Sequence, residues 1–205
     1  MNPPEPVEQL ARRDERAAVA TLTAAFADYE LLRALCPDPA RRHWAAHAYA
    51  RFLFRVCLRA GVAFATADRS AVACALVPGR EWPGEWQYLR AGALHAAWRL
   101  GWGGGWRFLK LGPPFDDRRA LHVGDRPHWY VLLLGVRPGS QGKGLSRAVL
   151  RPVFDAADRA GVPVFLETMP EANVPIYQKL GFELVGRGEL PGGLPNWEFV
   201  REPRS

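Results

Sequence analysis

The stretch WYVLLLGVRPGSQGKGLSRAVLRPVFDAADRAGVPVFLET, residues 129–168, predicts the fold of the chain. Its apolar run from Trp129 to Val136 has the length of a buried strand, and a second such run extends from Val162 to Thr168. Between the two, a Gly-rich turn leads into an amphipathic helix that we expect to end at Ala160, before Gly161. The order strand, helix, strand predicts a βαβ unit with two parallel strands.

Further helices and strands are predicted on both sides of this unit. Residues 14–59 have helical composition broken at Pro37 and Pro39, and residues 80–125 have helical composition interrupted by Gly and Pro. The other predicted elements are strands at Val62 to Thr66, Ala71 to Val77, Phe182 to Gly188 and Asn196 to Arg201, and a short helix at Ala172 to Leu180. We therefore expect an α/β (α+β) fold with a mixed central sheet flanked by helices.

The overall composition is that of one globular protein. Of 205 residues, 48% are hydrophobic and 23% are charged, which is ordinary for a chain with a single core. The net charge of +6 comes from scattered basic residues, which predicts a solvated surface compatible with an anionic ligand. The sequence contains no apolar signal segment and no apolar run of membrane-spanning length, so we expect a cytoplasmic protein without membrane contact.

The turn after the first strand has the composition of a phosphate site. Glycines where a strand enters a helix let an anion approach unpaired backbone N–H groups at the positive end of the helix dipole. A P-loop would need Gly at Arg137 and Ser or Thr at Gly144, and a dinucleotide fingerprint would need a third Gly at Arg147. Both of these motifs are therefore disfavoured.

The residues Gln141-Gly142-Lys143-Gly144-Leu145-Ser146, following Val136-Arg137-Pro138, resemble the cofactor loop of the GNAT superfamily of N-acetyltransferases, with Ser146 in place of the usual Gly or Ala. This resemblance implies acetyl-coenzyme A as co-substrate and a GNAT fold whose two central parallel strands splay apart. It implies that the cofactor is bound by Leu134, Gly135, Val136, Gln141, Gly142, Lys143, Gly144, Leu145, Ser146, Asn173 and Tyr177.

The same resemblance covers two later motifs and assigns catalytic roles to them. These are Phe165-Leu166-Glu167-Thr168 on the second strand and the stretch from Asn173 to Phe182, in which Asn173 and Tyr177 share one helix face. Tyr177 is the candidate acid for the departing thiolate, and backbone donors on the strand from Leu133 to Val136 would stabilise the oxyanion. Glu167 is the candidate base or cation-binding group, or else a solvated carboxylate at the strand end.

Within the superfamily the chain is most similar in pattern to the puromycin N-acetyltransferase group. This implies direct transfer, in a ternary complex, of an acetyl group to a primary amine of a small molecule, with Tyr29, Glu167 and Trp129 contacting the acceptor. We expect one domain over residues 1–205, with an acceptor-side half at about 1–127 and an acetyl-coenzyme A half at about 128–205. The expected state is a monomer or homodimer.

Several alternatives stay open at this point. The chain could acetylate a protein Lys or N-terminus, or act as a non-catalytic acyl-coenzyme A sensor. The repeat of Trp98, Trp102 and Trp106 near several glycines is interpreted as helix packing, an acceptor-pocket wall or a movable lid rather than a nucleic-acid or membrane platform. His43 and His47 lack a third ligand, so we predict no metal.

Overall fold

The computed structural model describes residues 5–79 and 89–204, without the side chains of Trp102 and residues 109–112. Its centre is a seven-stranded mixed sheet in the order β1-β2-β3-β4-β5-β7-β6. The strands are β1 (Val7–Gln9), β2 (Gly61–Thr66), β3 (Ala71–Leu76), β4 (Trp129–Val136), β5 (Val164–Thr168), β6 (Glu183–Leu190) and β7 (Leu194–Arg201). Only β4 and β5 pair in parallel among these strands.

Helices cover both faces of this sheet. They are α1 (Glu15–Phe26), α2 (Glu30–Leu35), α3 (Pro39–Ala60), α4 (Ala93–Leu100), α5 (Trp102–Val123), α6 (Leu145–Ala160) and α7 (Val174–Leu180). One core lies between the sheet and helices α1 to α5, and the second lies between the sheet and helices α6 and α7. The predicted fold class, a mixed sheet flanked by helices, is confirmed.

The predicted βαβ unit is present as β4, α6 and β5. Gly161 ends α6 with a left-handed φ of 64°, in the role expected from the sequence. The second strand begins at Val164 rather than at the predicted Val162. The short strand β1, which pairs with β2, was not predicted, because three residues between prolines and charges carry no strand pattern.

The two parallel strands separate soon after they meet. Pairing between them is confined to Trp129 with Val164 and Tyr130 with Phe165. On its other side, β4 carries a bulge, because Cys74 and Ala75 of β3 face Leu133 and Val131 and leave Leu132 as the extra residue. The predicted splay is thus confirmed, and a cleft opens between β4 and β5.

Gly135 allows α1 to pack closely over this part of β4. A Cβ atom at this position would lie 3.0 Å from Ala25 Cβ and 3.1 Å from Leu22 Cδ2, so a side chain would push the helix away. The close packing sets the distance of Phe26 and Tyr29, at the end of α1, from the opening between the strands.

The glycines of the Trp-rich segment have a different role from the one predicted. Helix α5 runs without a break from Trp102 to Val123, through Gly103–Gly105 and the pair Pro113–Pro114. A Cβ at Gly104 would lie 2.3 Å from the Leu35 carbonyl oxygen, so this glycine admits close contact with α2. The expected interruption is found at Gly101, which separates α4 from α5 with a φ of 80°, but not at Gly103–Gly105 or at the two prolines. The start of the predicted helical stretch, residues 80–88, lies outside the described residues.

Candidate active site

A cavity of about 1230 Å³ lies along the opening between β4 and β5. One end is formed by the turn after β4, the first turn of α6 and one side of α7. The other end is formed by aromatic side chains from α1, α3 and α5. Glu167 and Tyr177 lie on the wall of this cavity.

The turn end of the cavity presents backbone rather than side chains. Gly139, Gly142 and Gly144 have left-handed φ angles of 86°, 78° and 78°. Nothing lies within 4 Å of a Cβ atom built at any of the three, so the space over the turn is open. The turn can therefore hold a bulky group directly against its backbone.

The first turn of α6 adds the positive end of a 16-residue helix to the same place. Gly144 is its N-cap, no side chain caps it, and no acidic residue lies in its first turn. Free backbone N–H groups without a competing carboxylate are suited to a pyrophosphate. Chemically, this end fits the anionic part of coenzyme A.

Most of the predicted cofactor residues lie together here. The cavity is lined by Leu134, Gly135, Val136, Gln141, Gly142, Gly144, Leu145, Ser146, Asn173 and Tyr177. Lys143 is exposed and does not line it.

Two cationic residues at this end were not predicted as cofactor residues. Arg147, in the first turn of α6, donates a hydrogen bond to the Lys179 carbonyl oxygen, and both residues line the cavity. Arg147 stands where a dinucleotide fingerprint would need glycine, so it counted against that motif and not as a cationic ligand of phosphate. Lys179 carries no sequence signal apart from its position in the last turn of α7.

Asn173 and Tyr177 reach the cavity from one side of α7 and the turn before it. Asn173 Nδ2 donates to Thr168 Oγ1 at 2.9 Å, which ties the start of α7 to the end of β5. Burial, the nearby Tyr29 and a hydrogen bond with Thr168 act on Tyr177, and burial dominates and raises its pKa. The phenol therefore holds its proton at neutral pH and can donate it.

Glu167 is not a solvated strand-end carboxylate. Tyr130 Oη donates to its Oε1 at 2.5 Å, and Asn196 Nδ2 donates to its Oε2 at 2.9 Å. Burial raises the pKa of Glu167 to about 7, although both hydrogen bonds act in the opposite direction. A carboxyl group with this pKa gains and loses its proton near neutral pH, as a general base must.

The three predicted acceptor residues have different positions. Tyr29 lines the cavity and accepts a hydrogen bond at 3.2 Å from the Met169 backbone N–H through its hydroxyl oxygen. Glu167 lines the cavity as described above. Trp129 lies outside the lining, because its side chain packs in the core beneath α6 and α7, on the opposite face from Tyr130. Alternation along the strand places Tyr130 on the cavity side instead.

The end of the cavity away from the glycine turn, called the acceptor end after the function proposed below, is formed largely by aromatic side chains that the sequence did not identify. Phe108 contacts Tyr49 and Phe52 edge to face, with ring centroids 5.9 Å and 6.0 Å apart. Phe26 and Phe115 complete this wall. The five residues come from three helices, so no spacing in the chain groups them.

Two of the repeated tryptophans, Trp98 and Trp106, lie away from the cavity. Trp98 and Trp106 are 67% and 60% exposed and are absent from its lining, so the predicted pocket wall was wrong. The side chain of Trp102 lies outside the described residues. Arg99 lies over the rings of Trp98 and Trp44, with 4.8 Å and 5.2 Å to the ring centroids. This is a surface cation–π cluster.

Clusters of metal-ligand side chains and membrane-spanning helices are both absent from the part of the chain that the structure describes. No group of three or more His, Cys, Asp or Glu side chains is arranged to hold a metal ion. None of its helices has the length and apolar composition needed to cross a membrane.

The fold and cavity define an α/β protein that can hold an anionic co-substrate beside a proton-accepting carboxylate. The model of the Acetyltransferase (GNAT) family matches residues 25–182 of the chain. The chain therefore belongs to the GNAT family of acetyltransferases.

The individual proteins described next share 28% or less sequence identity with the chain. The chain is 28% identical over 180 residues to an uncharacterized N-acetyltransferase of Schizosaccharomyces pombe, with 85% of this chain and 73% of that protein covered. A solved structure described as histone acetyltransferase HPA2 and related acetyltransferase, from Corynebacterium glutamicum, is similar with a TM-score of 0.66 and 17% identity, over 97% and 96% of the two chains. The polyamine N-acetyltransferase of Drosophila melanogaster gives a TM-score of 0.60 and 18% identity, over 96% and 99%. These structures share the fold.

Proposed function

We propose that the protein transfers the acetyl group of acetyl-coenzyme A to the primary amine of a small molecule with an apolar or aromatic body. The observation that carries this proposal is the continuous cavity, which joins the glycine turn to the aromatic end and has Glu167 and Tyr177 on its wall. Acceptor and donor would meet there in a ternary complex, without a covalent enzyme intermediate.

The glycine turn and the first turn of α6 would hold the phosphates of the co-substrate, with Arg147 and Lys179 beside them. The opened side of β4 offers backbone groups that β5 does not pair beyond Tyr130. Donors from Leu133 to Val136 would hydrogen-bond the amide arm and stabilise negative charge on the thioester oxygen.

Glu167 would act as the general base. As the amine nitrogen forms its bond to the carbonyl carbon, the Glu167 carboxylate accepts the proton that the nitrogen loses. Tyr130 and Asn196 orient this carboxylate by holding one oxygen each. Burial raises the pKa of Glu167 to about 7, so the carboxylate is basic enough to take a proton at neutral pH.

Tyr177 would act as the general acid. When the carbon–sulfur bond breaks, the phenol gives its proton to the thiolate sulfur, and coenzyme A leaves as the thiol. In the whole cycle one proton passes from nitrogen to sulfur, and exchange with solvent returns Glu167 and Tyr177 to their starting states.

The acceptor end favours a small molecule over a protein. A protein Lys or N-terminus needs an open groove for the neighbouring backbone, whereas this end is lined by aromatic rings, with Glu167 and Asp116 among its described lining residues. The related polyamine N-acetyltransferase also acts on a small amine. We further propose that the chain acts as one catalytic unit in the cytoplasm, as a monomer or homodimer, without nucleic acid, membrane or metal.

Thiol release from acetyl-coenzyme A tests the proposal. The panel contains arylalkylamines, puromycin, polyamines, and peptides with a free Lys or N-terminus, with the Glu167→Gln variant as control. We expect turnover with small apolar amines that the variant loses. Turnover confined to peptides would reassign the substrate to proteins, and tight acetyl-coenzyme A binding without any turnover would make the protein a sensor.

A further inference from the structure

A second carboxylate lies directly beside the proposed base. Glu198 of β7 is the cross-strand partner of Glu167 on β5, and its side chain is fully buried. Like charges that face each other across a strand pair repel, and burial strengthens the repulsion. Such a pair persists only where other groups compensate for its charge.

Helix α5 supplies that compensation from above the sheet. Arg118 donates from Nε and Nη2 to the two carboxylate oxygens of Glu198, and His122 Nε2 lies 2.7 Å from Glu198 Oε2. A bidentate guanidinium contact fixes both the position and the charge of a carboxylate.

Two glycines on β6 make space for this cluster. A Cβ at Gly186 would lie 2.3 Å from Glu198 Oε2, and one at Gly188 would lie 1.8 Å from Arg118 Cζ. Alanine at either position would displace the charged groups. Strand β6 is therefore shaped around the ion cluster, although the cluster contacts no part of the glycine turn.

One amide connects this cluster to the proposed base. Asn196 Nδ2 donates to Glu198 Oε1 at 3.0 Å and to Glu167 Oε2 at 2.9 Å, so each of its hydrogens is held by one carboxylate. A shift of Glu198 would move the amide and with it the orientation of Glu167.

We propose that Glu198 is a positioning residue, which fixes the Glu167 carboxylate through Asn196 and places a second buried negative charge beside it. The inference rests on the proposed function, because it assigns a task to Glu167. Arg118 and His122 hold Glu198 in this role from α5.

Several groups around Glu167 raise or lower its pKa. Burial is the largest cause of its raised pKa, the hydrogen bonds from Tyr130 and Asn196 lower it, the charge of Glu198 raises it, and that of Arg119 lowers it. The remaining titratable or charged groups that face this region are Tyr29, Tyr49, Arg118, His122 and Asp116. Glu198 is the carboxylate among them that shares a hydrogen-bond donor with Glu167.

The test uses two variants of the full-length protein that act in opposite directions. Glu198→Gln removes the neighbouring negative charge while keeping the shape, so we expect the pKa of Glu167 to fall. Asn196→Ala removes a hydrogen bond to the ionised form, so we expect the pKa of Glu167 to rise. Glu202→Gln is the control for net charge, because Glu202 is exposed and paired with Arg126.

Two measurements give the result. The carboxyl ¹³C signal of Glu167, assigned by its loss in Glu167→Gln, is titrated in each variant and does not depend on turnover. The acid limb of kcat should move in the same direction as this midpoint. A midpoint that stays in place in Glu198→Gln, or moves upward, overturns the inference. If Glu198→Gln does not fold, the Asn196→Ala variant decides the test. A titration midpoint of Glu167 that does not rise in that variant also overturns the inference. An absence of turnover in the wild type would instead count against the proposed function.

Discussion

The two ends of the cavity are built from different parts of the polypeptide. At the coenzyme end, left-handed glycines and the start of α6 offer backbone N–H groups to the ligand. At the acceptor end, side chains from helices α1 to α5 and from strands β4 and β5 line the space. Backbone recognition needs only a particular chain path, whereas side-chain recognition depends on each residue that contributes to it.

The difference between the two ends predicts which substitutions should lower turnover and which should weaken binding. The acceptor end holds the proposed base and the aromatic wall, so substitutions there should alter turnover or acceptor affinity. Substitutions in the glycine turn should alter coenzyme affinity alone.

The largest effect is expected for Glu167→Gln. Loss of the general base should lower kcat about 10³-fold, because an amide cannot accept the amine proton. The dissociation constant of acetyl-coenzyme A, measured by calorimetry, should change less than twofold. A variant that loses less than tenfold in kcat would remove Glu167 from the proposed role.

The pH dependence of kcat should follow the ionisation of Glu167. Its carboxyl must be ionised to accept a proton, and its pKa is raised to about 7 by burial, so the rate should fall as the pH drops below about 7. The expected loss between pH 7 and pH 5 is about 50- to 100-fold. The assay should use an acceptor amine whose own pKa lies well below that of Glu167. The ionisation of the amine is then separate from that of the carboxyl group. A flat profile over this range would contradict the assignment.

Tyr177→Phe should have an intermediate effect. Removal of the phenol hydroxyl should lower kcat about 10- to 50-fold with little change in the binding of acetyl-coenzyme A, since the proton is needed only as the thiolate departs. Steady-state kinetics and calorimetry together provide the comparison. Equal losses in turnover and in cofactor binding would make Tyr177 a packing residue of the cavity.

Phe108→Ala tests the aromatic wall. Removal of this ring should raise the KM of an arylalkylamine about 10-fold, because its contact with an apolar acceptor is lost, and leave the KM of acetyl-coenzyme A unchanged. Leu121→Ala serves as the matched control on the same helix, because Leu121 is 76% exposed and lies outside the cavity. Similar shifts in both variants would argue for a general loosening of α5.

The smallest effect is expected at the coenzyme end. Gly144→Ala places a side chain at a φ of 78°, which costs about 1–2 kcal/mol and should weaken acetyl-coenzyme A binding about fivefold without changing the acceptor KM. Gly161→Ala, at a φ of 64° at the other end of α6, carries similar strain away from the cavity and should leave binding intact. Equal binding losses in the two variants would assign the effect to helix stability.

The difference between the two ends also explains what the sequence could predict. The coenzyme end lies within one continuous stretch, so periodicity and glycine positions predicted β4, the turn, α6 and β5 with small errors at their ends. The acceptor end joins residues as far apart as Phe26 and Glu167, and no local pattern connects them. Trp129 was chosen in place of Tyr130 because the side-chain direction of a continuous apolar strand cannot be read from its composition.

The burial of Glu167 was equally hidden from the sequence. Its position near a strand end was compatible with solvation, and the groups that enclose it lie on β4, β7 and α5. Asn196 and Glu198 alternate with apolar residues along β7 and so resemble the solvent side of an edge strand. The sheet order instead places β7 inside, between β5 and β6.

The bulge at Leu132 adds one residue to β4 and so affects the distance between the two ends of the cavity. Tyr130 and Leu132 face the core beneath α1 to α5, and Leu133 faces it as well, so the extra residue leaves the faces of later residues unchanged. Deletion of Leu132 would preserve which side chains are buried and draw the glycine turn about 3.3 Å closer to the start of the strand. Such a chain would keep its cores and both half-sites, yet the thioester would reach the wrong place relative to Glu167. The length of β4, independent of its composition, thus sets the separation between the glycine turn and Tyr130, which holds Glu167.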